Sequence, residues 1–297
     1  MSAAHPQGWV QIGSSQLSAA IDPLGAQLSL LRDASGQDLL WDGDPAFWTG
    51  RAPLLFPIVG TLAGGHYRLG TKQYALSRHG FARNCLFEVL EAAASTAAFR
   101  LRADDSTLAL YPFHFELEVR FALQGALLTV NSTVRNPGAA VLPASFGFHP
   151  ALRWPLPYGE PRAEHLITFS MDEPAPARRL NAQGLLAPQP EATPVHDRQL
   201  LLRDDLFRTD ALIFDQLRSR ELRYGAKAGP QLRIAFGNTP FLGVWTRPGA
   251  PFICIEPWHG LSDPEGFTGE FGTKPGLFLV PPGGTQQLQL QIELLPP

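Results

Sequence analysis

Proline and glycine each occur 28 times in this chain of 297 residues, so helix-breaking positions recur every few residues along most of its length. Few uninterrupted windows remain for a helix of ordinary length, about 11 residues. Short extended segments joined by turns fit the gaps. The clearest is 113–123, where Phe113, Phe115, Leu117, Val119, Phe121 and Leu123 alternate with polar residues such as His114, Glu116, Glu118 and Arg120. That period of two predicts a strand with one buried face, and Gln124-Gly125 then turns the chain into a second extended run at 126–135. Leu288, Leu290 and Ile292, interleaved with glutamines, repeat the pattern near the end of the chain. Further strands are expected at 16–31, 85–102, 163–170, 210–224, 230–236 and 241–256, with brief helical turns only at 104–111 and 203–208.

Alternating βαβ units are therefore disfavoured, and with them Rossmann and barrel architectures. The expectation is an all-β fold, a large and mostly antiparallel β-sandwich, formed as a single domain over 1–297. The Pro-rich segment 174–194 reads as a long surface excursion within that domain, because the strand pattern resumes unchanged after it.

Charged residues make up 17% of the chain and the net charge is −3. No basic footprint invites nucleic acid, and no apolar run approaches the roughly 20 residues that span a bilayer. The N-terminal MSAAHPQGW lacks the basic and apolar regions of a secretory signal, so a cytoplasmic protein is expected and the sequon at Asn131 is read as chance. Cys85 and Cys254 are too few for a disulfide framework or a Cys-rich zinc site, and each reads as a small core residue.

Three stretches carry residues suited to chemistry. Ser77 to Arg83 places His79 between Arg78 and Arg83 with Gly80 beside it, a costly group to bury unless it meets oxygen-rich partners. In Ser145 to Pro150, His149 precedes a proline that favours extended backbone, as at a strand mouth. In Phe252 to Trp258 an apolar run ends in Glu256, a carboxylate that must be neutral, paired or open to a pocket. Trp258 beside it offers an apolar surface suited to the C–H face of a sugar ring. No G-x-S-x-G, Walker A, H-E-x-x-H or paired C-x-x-C motif is present, which removes the sequence warrant for serine hydrolase, P-loop and zinc-protease chemistry. Two histidines, a glutamate and several arginines form a set for moving protons on a hydroxyl-rich molecule.

The segments RAPLLFPIVG (51–60), RHGFAR (78–83), YPFHFEL (111–117), FGFHP (146–150), DALIF (210–214), CIEPWHGLSD (254–263) and TKPGL (273–277) together resemble the aldose 1-epimerase, or galactose mutarotase-like, superfamily, most closely its LacX-like branch. The resemblance implies the galactose mutarotase-like supersandwich and an acid/base interconversion of sugar anomers, with no metal and no organic cofactor. It makes Glu256 the base at the anomeric hydroxyl and His149 the acid at the ring oxygen. His79, counted with the catalytic residues, becomes a hydrogen-bond donor to the sugar near the ring oxygen, while Arg51 holds sugar hydroxyls and Asp210 is the substrate-binding aspartate, with Asp215 close enough to confuse the last placement. The implied partner is a free sugar or a sugar phosphate. Arg78 and Arg83 suit the phosphorylated form, as in hexose-6-phosphate epimerases, or else stabilise a strand turn. A non-catalytic sugar-binding protein, and a glycoside hydrolase pairing Glu256 with Asp210 or Asp263, are the competing readings. Lys274 and Asp263 fall in matching motifs without a role that the sequence defines.

Overall fold

A computed structural model describes residues 8–297, in which 22 strands are accompanied by one short α-helix and five 3₁₀ turns. The N-terminal residues 1–7, most of the stretch read for a secretory signal, lie outside the described residues. Among the described residues no helix is long and apolar enough to cross a membrane.

Two antiparallel sheets dominate. The larger runs in the order Gln199–Leu201, His165–Phe169, Glu221–Ala226, Gln231–Ala235, Thr285–Leu295, Leu127–Arg135, Glu116–Gln124, Thr96–Arg102 and Glu88–Ala92. The expected hairpin sits at its heart, with Leu127 opposite Gln124 and Arg135 opposite Glu116. Leu117, Val119, Phe121 and Leu123 are all buried, as the period of two requires. Only the start of the run differs. Phe113 and Phe115 precede the strand and pack around Tyr111 instead, with ring centroids 4.8 and 6.2 Å from it.

The second sheet runs Leu212–Phe214, Phe241–Trp245, Phe252–His259, Phe146–Phe148 and Leu54–Leu55, and Ala151–Arg153 also pairs with Phe252–His259. Its core-facing residues, including Leu54, Phe148, Val244, Ile253 and Ile255, join Phe121, Val130, Ile234 and Leu290 of the larger sheet in one apolar cluster. That is the sandwich geometry: two pleated faces sharing a core. The expected helical turns both occur, as an α-helix at Asp105–Leu110 and a 3₁₀ turn at Asp204–Phe207. Asp104 starts the helix with a capping box, its carboxylate accepting from the Thr107 N–H while the Thr107 hydroxyl accepts from the Asp104 N–H.

The segment 174–194 departs from the expected surface excursion. Its backbone is pinned by bridges from Ala177 to Glu191, from Arg178 to Ile213 and from Leu186 to Pro264, so it lies as a strap against the smaller sheet and buries Leu180 and Leu186. Backbone groups that would otherwise need water find strand partners there.

Candidate active site

The strand Phe252–His259 sets the site. Alternation sends Ile253 and Ile255 into the sandwich core and Cys254, Glu256 and Trp258 to the opposite face. On that face a cleft of about 330 Å³ is bordered by Glu256, Trp258, His149, His79, Arg78 and Asp210 among others. Room for the Trp258 indole comes from two glycines on the flanking strands. A Cβ at Gly243 or Gly147 would lie 2.4 or 2.6 Å from the indole, closer than atoms can pack.

His149 leaves the neighbouring strand at its end, as Pro150 predisposes it to do. Its Nε2 lies 3.0 Å from Glu256 Oε2. The approach is close but not aligned as a hydrogen bond, and Glu256 Oε2 and His149 Nδ1 both lack any hydrogen-bond partner within the protein. Burial dominates both groups. It raises Glu256 well above the usual carboxylate range, an effect opposed by Arg78, reinforced by Asp210 and opposed again by the nearby Trp258 indole, whose N–H does not reach hydrogen-bond geometry. It pushes His149 down to about 3, with Arg78 and Arg83 adding to the effect. The neutral pair therefore carries one proton, held by the acid. That is the same proton count as a carboxylate facing an imidazolium, so a single transfer across the gap interconverts the two.

His79 is held from both sides by Gly60. The Gly60 N–H donates to His79 Nδ1 at 3.1 Å, and the His79 N–H donates to the Gly60 carbonyl at 2.8 Å. Burial lowers the His79 pKa well below its ordinary value, His149 and both arginines contributing in the same direction. A neutral ring with Nδ1 accepting carries its proton on Nε2. The Arg78 Nε that lies 3.2 Å from that Nε2 cannot then donate to it. Arg78, whose side chain is 45% exposed, is the group free to turn away, because the Gly60 amide is fixed and buried. Nε2–H is thus a donor aimed at whatever displaces Arg78.

Both His79 (φ 69°) and Asp210 (φ 71°) adopt the left-handed backbone conformation that non-glycine residues rarely take. The surrounding structure must hold them there, a pattern found at functional sites. Asp210 Oδ1 accepts the Ala211 N–H, and Oδ2 stands 3.5 Å from Arg78. Arg83 donates to the Arg78 carbonyl at 2.8 Å, keeping its half-buried guanidinium on the cleft wall.

Of the residues singled out in the sequence, Glu256, His149, His79, Asp210, Arg78, Arg83 and Trp258 meet around this cleft. Arg51 does not. Its guanidinium donates to the Ser29 carbonyl at 2.8 Å and lies over the Trp9 ring, 5.2 Å from the centroid, so the sugar-holding role expected of it is withdrawn. Packing on an aromatic face and a carbonyl partner draw the long side chain away from the cleft. Asp215 is likewise elsewhere, 3.2 Å from Arg178, which leaves Asp210 as the cleft aspartate. Asp263 is not available as a second carboxylate for hydrolysis, because it is buried 2.6 Å from Lys274 Nζ.

That ion pair stands behind the site. Asp263 Oδ2 accepts the Ala63 N–H, its own N–H donates to Thr61 O, and Ser262 Oγ accepts the Thr61 N–H. The stretch 60–63 that orients His79 is thereby fastened to the strand-end segment. Trp48, Trp245 and Leu180 also line the cleft and were not marked in the sequence. Trp48 packs tilted against the His149 ring, 5.0 Å between centroids at 31°, and Trp245 meets Trp48 edge-on at 5.6 Å. The clue was the presence of aromatic residues beside turns, which by itself does not separate a cleft wall from a core.

The aldose 1-epimerase family profile matches residues 9–273. The chain belongs to that family. It is 31% identical over 296 residues to the LacX proteins of Lactococcus lactis subsp. lactis, both plasmid and chromosomal, covering 96% of this chain and 99% of each relative. Among solved structures, a galactose mutarotase-like protein from Lactobacillus casei superposes with a TM-score of 0.89 at 30% identity, over 97% of this chain and 100% of that one. A galactose mutarotase related enzyme from Lactobacillus acidophilus gives 0.88 at 28% identity, over 96% and 97% of the two chains. Membership of the aldose 1-epimerase family and the mutarotase-like sandwich support an isomerase acting on a sugar.

Proposed function

We propose that the protein interconverts the α and β anomers of an aldose, with Glu256 and His149 as the proton-transfer pair. The observation that carries this reading is the 3.0 Å approach of His149 Nε2 to Glu256 Oε2 at the floor of the cleft. The anomeric hydroxyl and the ring oxygen of a pyranose are bonded to one carbon, so acceptor and donor atoms this close together face both oxygens at once. In the reactive form Glu256 is the carboxylate and His149 the imidazolium, reached by one proton transfer within the pair. Glu256 takes the hydroxyl proton as the C1–O5 bond breaks, His149 protonates the departing ring oxygen, and C1 becomes an aldehyde carbon. Rotation about C1–C2 and the reverse transfers then close the ring in the other configuration. Each proton given is recovered, so the cycle consumes nothing.

In this reading His79 Nε2–H, Asp210, Arg78 and Arg83 hold sugar oxygens, and Trp258 lies against the apolar face of the ring. Fixing the sugar in this way lowers the entropic part of the barrier. Exchange spectroscopy on α-glucose and α-galactose tests the proposal. Glu256→Gln and His149→Gln should lower exchange by on the order of 10² to 10⁴-fold, the range for loss of a general base or acid. Exchange at the buffer rate for the wild-type protein across a panel of aldoses would refute catalysis. Sugar binding that survives Glu256→Gln, in a protein whose wild type shows no exchange above background, would instead support a sugar-sensing protein.

A phosphorylated aldose is the second reading, favoured by two guanidinium groups on one wall of the cleft. Comparison of glucose with glucose 6-phosphate, in the wild type and in Arg83→Met, separates the two. A preference for the phosphate that disappears in the variant supports it, and equal rates exclude it.

A further inference from the structure

Cys254 is the small core residue the sequence suggests, fully buried in an apolar cluster with Trp41 and Phe252, yet it shares a strand face with Glu256, two residues before the proposed general base. The imidazole of His149, the thiol of Cys254 and the carboxylate of Glu256 each present a ligand atom within 4.8 Å of the other two, and all three residues are buried. Two polar atoms of this group, Glu256 Oε2 and His149 Nδ1, have no hydrogen-bond partner within the protein, in residues that are 1% and 8% exposed. A buried unpartnered oxygen is costly, and it marks a place where something else completes the coordination.

We propose that His149, Cys254 and Glu256 form a three-ligand site for a borderline-soft divalent cation of the zinc type, reached through the sugar cleft, so that metal and sugar exclude each other. The donor set selects the ion. One nitrogen, one thiolate sulfur and one carboxylate oxygen suit zinc, whereas magnesium and calcium prefer oxygen alone. Around a tetrahedral zinc ion the ligand atoms stand roughly 3.3 to 3.8 Å apart, so the cluster needs only small side-chain adjustments to close on an ion. Three protein ligands leave a fourth position for a water from the cleft, which His149 and Glu256 line. Binding releases the thiol proton and the carboxyl proton to solvent, while the neutral imidazole donates a lone pair without losing one. Because the same carboxylate and imidazole are the proposed proton-transfer pair, the ion switches the chemistry off. The exclusion of sugar rests on the mutarotase reading, and the binding of the ion does not.

Cobalt(II) serves as a coloured probe for zinc. Titrated into the chain after chelator treatment, it is expected to give a thiolate-to-cobalt charge-transfer band at one equivalent, together with the visible bands of a tetrahedral ion, all bleached by zinc. The band should persist in Cys85→Ser and be lost in Cys254→Ser and Cys254→Ala. No band in the wild type, or a band that survives in both Cys254 variants, overturns the site. Anomer exchange in chelator, assayed in parallel, keeps the two ideas separate. Exchange without a band defeats the metal site alone, and a band without exchange defeats the mutarotase reading alone. Where both are present, saturating galactose should displace cobalt, and an unchanged band would overturn the shared cleft.

Discussion

Replacing Lys274 with Met would remove one half of an ion pair whose side chains are 1% and 3% exposed and whose charged atoms are 2.6 Å apart. Methionine fills a similar volume, so the cost comes almost entirely from leaving the Asp263 carboxylate buried without its cation. Such a break costs about 3 to 5 kcal/mol. The unfolding entropy of a cooperative chain of 297 residues is roughly 0.6 kcal/mol/K, so the thermal midpoint should fall by about 5 to 8 °C. The same substitution should reach the cleft, because Asp263 fastens Ala63 and Thr61, and the adjoining Gly60 orients His79. Calorimetry measures the first effect and the kcat/KM of anomer exchange the second. The double variant Lys274→Met with Asp263→Leu separates pair breaking from loss of the pair as such. An apolar couple in place of a buried salt bridge is often neutral, so most of the midpoint should return. If the single variant melts with the wild type, or the double variant melts well below the single one, the assignment of the cost to an abandoned carboxylate is wrong.

Other expectations follow from the same geometry. With His149 pushed down to about 3 and Glu256 raised, the pair keeps one proton across the neutral range, so a kcat/KM profile should show no limb centred on 6.5. Activity should fall only at the acid end where His149 gains a proton and at the alkaline end where Glu256 loses one, and a limb near 6.5 would refute the shared-proton description. Stability should respond in the direction set by a depressed histidine. Below pH 6.5 the unfolded chain binds a proton that folded His149 does not, so stability is lost toward pH 3 by up to about 1.4 kcal/mol per pH unit. Urea midpoints of His149→Asn should lack this part of the slope, and parallel curves for the two proteins would contradict it. Gly243→Ala puts a methyl group 2.4 Å from the Trp258 ring, so overpacking should cost about 1 to 3 kcal/mol and raise KM as the indole shifts. An unchanged KM would show that Trp258 does not meet the sugar.

The fold was legible wherever one face of a strand is buried. Leu117 to Leu123 and Leu288 to Ile292 announce their strands because alternate residues meet the core and the solvent. The run 252–258 announced a strand but not its two unlike faces, since Cys254 packs in an apolar cluster on the same face from which Glu256 and Trp258 reach the cleft. The site was legible where the chain itself was out of character, as in the charged cluster around His79 or the carboxylate of Glu256 after an apolar run. It was illegible where position depends on side-chain direction or on distant partners. Arg51 sits in a segment whose backbone touches the site, the Ala151 N–H donating to its carbonyl, but Trp9 and Ser29 take its side chain the other way. Lys274 and Asp263 are 11 residues apart in no regular element that both share, so nothing local signals that they pair. Trp48 and Trp245 become a wall only when two remote segments stack them beside His149.

The strap formed by residues 174–194 reaches the cleft through Leu180 but contributes nothing to the proposed proton-transfer pair, which resides wholly on the central strands and their ends. Inheritance can therefore act on the two parts separately. Mutations along the strap are free to retune which molecule is admitted, generation by generation, while the inner machinery stays untouched. Divergent members of such a lineage would then differ in diet before they differ in chemistry.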